Sequence, residues 1–231
     1  MDIQRRLLLK GMVLGGISSL GFAKAGTGLT GDSIGFVKPM PILVLVNGRI
    51  GHSAFLEGVR AAAGRTDLLQ VHDTDLGLDF LLALQHYIQS TQGRLIVDLV
   101  DDASATLIVD LARTAGARMH WLGQHAVGPG QSRHRLSDSR ITGDYGTLFN
   151  GRLVAHGFDI DSGKQQTEKK RVTHESVSYV RNGTPDSQQW ATDLGFILAG
   201  NGRHTAFSAI PQVSTGPASL AGYFVSFAFE I

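Results

Sequence analysis

The residues able to do chemistry gather behind four short apolar runs. Asn47-Gly48-Arg49-Ile50-Gly51-His52-Ser53 follows the first, Asp73-Thr74-Asp75 the second, Asp101-Asp102-Ala103-Ser104 the third, and Gly123-Gln124-His125 ends the fourth. Gly48 and Gly51 beside Ser53 would let backbone amides approach an anion at a helix N-terminus. The same residues also suit a tight turn with Ser53 as an N-cap, and Asp102 suits an N-cap for the helix after it. The spacing is not G-x-G-x-x-G and no P-loop Lys-Ser/Thr follows. His52, Asp101 and His125 could transfer protons if they converge. Together with His72, Asp73, Asp102 and His120 they form a donor set suited to zinc, iron or manganese. No short spacing fixes two ligands on one element, so no metal site is assigned and the cofactor stays unknown.

A parallel α/β layer would position these loops. From Pro41 the chain repeats a unit of apolar run, polar turn, amphipathic helix and glycine. The runs are Ile42 to Val46, Leu68 to His72, Leu95 to Val100 and Arg118 to Leu122. The intervening helices carry Phe55, Leu56, Val59 and Ala63; Leu78, Leu81, Leu82 and Ile88; and Leu107, Ile108, Leu111 and Ala115 at helical spacing. Gly64, Gly93 and Gly116 are placed to close them. The expected fold is α/β: a Rossmann-like parallel sheet with flanking helices over 41–127, and a mixed α+β extension over 128–231. In such sheets ligands lie beyond the carboxyl ends of the strands, where their order reverses. A strand order of 2-1-3-4 sets the first and third loops face to face. The candidate ligand-binding residues are therefore Asn47, Gly48, Gly51, His52, Ser53, Asp101, Asp102 and His125.

The second half is less regular. Leu148-Phe149, Asn150-Gly151 and Arg152-Leu153-Val154 suggest a hairpin, since Asn-Gly supplies the positive φ values of a type I′ turn. A polar loop over 162–170 and a strand around Val172 to Val180 follow. Thr184-Pro185 suits the start of a helix bearing Trp190, Leu194, Ile197 and Leu198 and ending at Gly200. Tyr223, Val225, Phe227, Phe229 and Ile231 alternate as in a strand buried mainly on one face.

Composition narrows the function classes. Lys and Arg number 21, Asp and Glu 20. Arg5, Arg6, Lys10 and Lys24 sit near the start against Asp2 alone, which leaves the remainder slightly acidic and without a signature for nucleic acid or anionic membranes. The absence of cysteine excludes disulfides, thiolate nucleophiles and cysteine-ligated metal centres.

Gln4-Arg5-Arg6-Leu7-Leu8-Leu9-Lys10, the uncharged stretch Gly11 to Ala23 and Ala23-Lys24-Ala25 together resemble a twin-arginine (Tat) export signal. The resemblance implies a signal over 1–25 cleaved after about Ala25, the Tat translocase as export partner, and periplasmic location without a stable membrane span. A Gly- and Pro-rich spacer, 26–40, would precede the domain. Gly93 to His125 is similar to a lobe of periplasmic ligand-binding proteins, with Leu-Ile-Val-Asp before a helix ending in Ala-Gly-Ala. Two motifs are partial. Gly51-His52-Ser53-Ala54-Phe55 has half of a nucleophile elbow, with Phe55 at the second glycine. Asp73-Thr74-Asp75 resembles the D-x-D of aspartyl phosphatases and departs from it at Leu76-Gly77. Two functions are thus expected. One is an exported protein binding a small polar or anionic ligand, accessory to a redox enzyme or uptake system. The other is a periplasmic enzyme with a non-covalent or His/Asp-bound cofactor loaded before export.

Overall fold

Five consecutive aliphatic residues, Ile42–Val46, form strand β1, and all five are buried, as both faces of a central parallel strand must be. The structure is a computed structural model that describes residues 40–48, 50, 53–64, 66–74, 77–137, 139–161, 177–182, 188–200, 210–212 and 220–231, without the side chains of 66 and 139–143. The proposed signal over 1–25, most of the spacer, the loop 162–170 and Thr184-Pro185 lie outside the described residues.

Chain order continues with α1 (Ala54–Ala63), a 3-10 turn (Thr66–Leu68), β2 (Leu69–Asp73), α2 (Leu78–Ser90), β3 (Leu95–Val100), α3 (Asp102–Thr114), β4 (Arg118–Gly128) and β5 (Gln131–Leu136). Then come α4 (Ser139–Ala155), β6 (Asp159–Ile160), β7 (Val177–Asn182), α5 (Gln189–Ala199) and β8 (Gly222–Glu230). These strands make a single mixed sheet in the order β2-β1-β3-β8-β4-β5-β7-β6. The fold is therefore mixed α/β. Only β2, β1 and β3 pair in parallel, and every other pairing is antiparallel.

The expected order 2-1-3-4 is corrected by β8. This strand lies between β3 and β4, with Val97 opposite Ala228 on one side and Leu122 opposite Phe227 on the other. It is buried from Phe224 to Phe229 on both faces rather than mainly on one. Its alternate residues are almost all apolar, so a helix layer can cover each side. β4 does not stop at Leu122 but continues to Gly128, so the boundary expected at 127/128 falls on its last residues.

Alternation divides the core in two. Ile42, Val44 and Val46 with Leu95, Val97 and Leu99 pack against α1, α4 and α5, whereas Leu43, Leu45, Ile96, Phe227 and Phe229 pack against α2 and α3. Helix α5 is buried on every side. It crosses α1 so closely that a Cβ on Gly195 would collide with the Phe55 carbonyl, and one on Gly58 with the Thr192 carbonyl.

The Asn150-Gly151 hairpin is corrected: both residues lie inside α4. Tyr145, Leu148, Phe149 and Leu153 recur at helical spacing and are buried against the sheet, and that burial outweighs the local turn preference of Asn-Gly. The α2 stripe also differs. Leu84 and Ile88 are its buried residues, while Leu78 and Leu82 face solvent. Among the described residues no helix is long and apolar enough to cross a membrane.

Candidate functional site

The first and third loops do meet. Strand β1 is followed by a helix on one face and β3 by a helix on the other, so the winding reverses between them. At that point Asn47 Nδ2 donates to Asp101 Oδ2 at 3.2 Å. Asp101, rather than Asp102, is the N-cap of α3. Its Oδ1 accepts from the amides of Ala103 and Ser104 at 3.0 Å each, and its Oδ2 accepts from Ser104 Oγ at 2.7 Å. Burial pushes this carboxyl up, but the Ser104 amide and hydroxyl, the Asn47 amide and the Ala103 amide together hold it below the usual range. It is thus an ionised acceptor and a weak base.

Ser53 occupies the N-cap position of α1, yet its hydroxyl makes no capping bond. Ser53 Oγ and Asn47 Oδ1 are buried side-chain atoms without hydrogen-bond partners. Unpaired buried polar atoms in a strand-end loop call for a functional account. A side chain at Gly48 would meet nothing within 4 Å, so no close backbone approach accounts for that glycine. Gly51 and His52 lie outside the described residues.

Beside Asp102 the carboxyl edge opens into a groove of about 570 Å³. Strands β4 and β8 run on past the end of β3, and the described residues place no helix over this part of the sheet face. Register sets its floor in two rows. One contains Val225, Gln124, Arg135 and Ser178, and the other Tyr223, Ala126 and Arg133. Asp102 and Asp161 complete the walls, with Asp161 3.7 Å from Arg133. Strand β5 carries the signal that would have located this surface. Ser132, His134 and Leu136 point inward while Gln131, Arg133 and Arg135 point outward. Its inward residues include only one aliphatic side chain, and for that reason the alternation does not read as a strand.

His125 lies in the groove floor, but its ring is on the opposite face of the sheet. Its Nε2 is 2.7 Å from Ser226 Oγ and its Nδ1 is 2.8 Å from His134 Nδ1, and the ring stacks on Trp190 with centroids 5.0 Å apart. Trp121 Nε1 also donates to Ser226 Oγ, at 2.7 Å. Serine, histidine and a second orienting histidine have the spacing of an activated nucleophile. Ser226 is fully buried, however, and both rings lie within the core. The array is a hydrogen-bond chain linking β8, β4 and β5. Burial pushes both imidazoles down, His134 to about 3, and the proximity of His134 lowers His125 further.

The remaining donors are dispersed. His120 lies 3.2 Å from Glu230 at the start of β4, and His72 lies on the edge strand β2. Among the described residues no three His, Asp or Glu side chains are grouped to hold a metal ion. A second charged cluster is internal. The Asp193 carboxylate accepts from Arg152, His156 and Gln189, tying α4 to α5. Asp98, midway along β3, is fully buried with neither carboxyl oxygen partnered. Burial pushes its pKa well above the usual value, and the nearby charge of Asp101 assists.

No family model matches the chain, and comparisons with curated proteins and with solved structures find no match.

Proposed function

We propose that this chain is an exported periplasmic protein that binds a small polar or anionic ligand in the groove at the carboxyl edge of its sheet. The observation that carries this reading is the pair Arg133 and Arg135, two residues apart on a strand face that no described helix covers, beside Gln124 and the start of α3. Guanidinium groups bind carboxylate and phosphate oxygens through paired hydrogen bonds. The location supports it too. The groove lies at the carboxyl edge of the sheet beside Asp102, the first residue of α3, which follows Asp101 and its contact with Asn47.

Calorimetric titration of the full mature chain with a panel of small carboxylates and phosphates tests the reading. At least one should bind, and Arg135→Ala should weaken it roughly 10- to 100-fold, the worth of a charge-assisted hydrogen bond. Unchanged affinity in that variant would remove the groove as the site.

Export rests on Arg5-Arg6 and the uncharged stretch after it. Replacing both arginines with lysine should leave the protein in the cytoplasm with its signal attached. Undiminished periplasmic accumulation of that variant would exclude the twin-arginine route.

A further inference from the structure

Tyr223 is 80% exposed, the most exposed of the large apolar side chains in the described fold, and it stands on the groove floor. Its neighbour across the sheet on β4 is Ala126, whose neighbour on β5 is Arg133. A methyl group therefore separates a phenol ring from a guanidinium. Adjacent strands lie about 4.8 Å apart, so about 10 Å separates the backbones of Tyr223 and Arg133, with a shallow step over Ala126 between them. Gln124 and Arg135 stand in the next row.

From this arrangement we infer that the groove takes an aromatic ring bearing a carboxylate. The ring lies over Ala126 against Tyr223, and the carboxylate reaches Arg135 and the Gln124 amide. The inference rests on the groove being the binding site. Two observations decide the ligand class. An exposed tyrosine beside a one-carbon side chain offers a flat face and the depth to use it, which a purely aliphatic or inorganic anion would leave idle. The charges then set the valence. Asp102 and Asp161 balance Arg133 and Arg135 in number, so the groove suits a monoanion better than a phosphate dianion.

The experiment is calorimetric titration of the full mature chain with benzoate, cyclohexanecarboxylate and phenyl phosphate. Wild type, Tyr223→Ala, Tyr223→Phe and Arg135→Ala are compared, and circular dichroism confirms that each variant is folded. Benzoate should bind about tenfold tighter than cyclohexanecarboxylate, as expected for a ring–ring contact, and tighter than phenyl phosphate. Tyr223→Phe should keep that preference, Tyr223→Ala should abolish it, and Arg135→Ala should weaken both carboxylates. Equal binding of the two carboxylates, or a Tyr223→Ala variant that retains the preference, overturns the aromatic ligand. If Arg135→Ala still weakens them, the groove itself stands. No binding by any of the three probes overturns the inference, and if the wider panel of small anions also fails to bind, the groove falls with it.

Discussion

Replacing Gly195 with valine should leave no folded protein. Helices α1 and α5 meet backbone to backbone, and a Cβ at Gly195 would occupy the position of the Phe55 carbonyl, while one at Gly58 would occupy that of Thr192. Neither obstacle is the end of a flexible side chain, so the helices would have to separate. Helix α5 is buried on all sides and would carry Trp190, Leu194 and Leu198 with it. The expected cost exceeds about 4 kcal/mol, a large fraction of a typical domain's stability. Gly151 is the control. It lies within α4, where an added methyl group would meet nothing within 4 Å, so Gly151→Ala should raise stability by about 0.5–1 kcal/mol. Urea unfolding of the soluble fractions checks both. A Gly195→Val protein with the wild-type midpoint would show that the helices do not cross this closely.

Acid should destabilise the fold well before its carboxylates are protonated. The folded pKa values of His125 and His134 lie below the unfolded value of 6.5, that of His134 at about 3. Below pH 6.5 the unfolded chain therefore binds protons that the folded chain refuses. Stability is fully present above that pH and falls as pH drops toward 3, by about 1.4 kcal/mol per pH unit for each ring. Asp98 has the opposite sign. Its raised pKa means that the folded chain holds a proton the unfolded chain has lost above about 3.9, so acidification favours folding at this residue. Two rings act against one carboxyl, so acidification below about pH 6 should lower stability on balance. Asp98→Val should raise stability at pH 7 by about 1–3 kcal/mol, because it removes an unpartnered buried acid from an apolar layer. The same variant should lose stability more steeply on acidification. Urea midpoints measured from pH 7.5 to 4.5 decide the matter, and a flat profile for the wild type would refute the assigned shifts.

The sequence was most informative where local pattern and burial coincide. Ile42 to Val46 and Leu95 to Val100 are continuous apolar runs, Phe55, Leu56 and Val59 form a helical stripe, and Gly64 closes α1 in the left-handed conformation. Whereas the meeting of the loops at Asn47 and Asp101 also needs an assumed strand order, these elements follow from period and capping chemistry alone. Pairing partners do not. Nothing within Tyr223 to Glu230 says that this strand enters between β3 and β4, because its alternation serves an edge or a centre equally well. Asn150-Gly151 misleads for the complementary reason, since its turn preference is local and the burial of Phe149 and Leu153 is tertiary. The groove escaped notice because its residues, Gln124, Arg133, Arg135, Asp161 and Tyr223, come from distant parts of the chain that only the completed sheet brings together.

That late completion has a consequence for how the chain is made. Strands β3 and β4 do not pair with each other, and each pairs instead with β8, which is translated after every other strand of the sheet. While the ribosome is still upstream of Gly222, the two halves of the sheet have no common strand and each keeps an open inner edge, the kind of edge that recruits foreign strands. A nascent chain cannot lock its native sheet early and wait. It must be held apart from its neighbours until β8 emerges and closes the centre. Translation stopped short of β8 would yield an aggregating chain and not a smaller working domain.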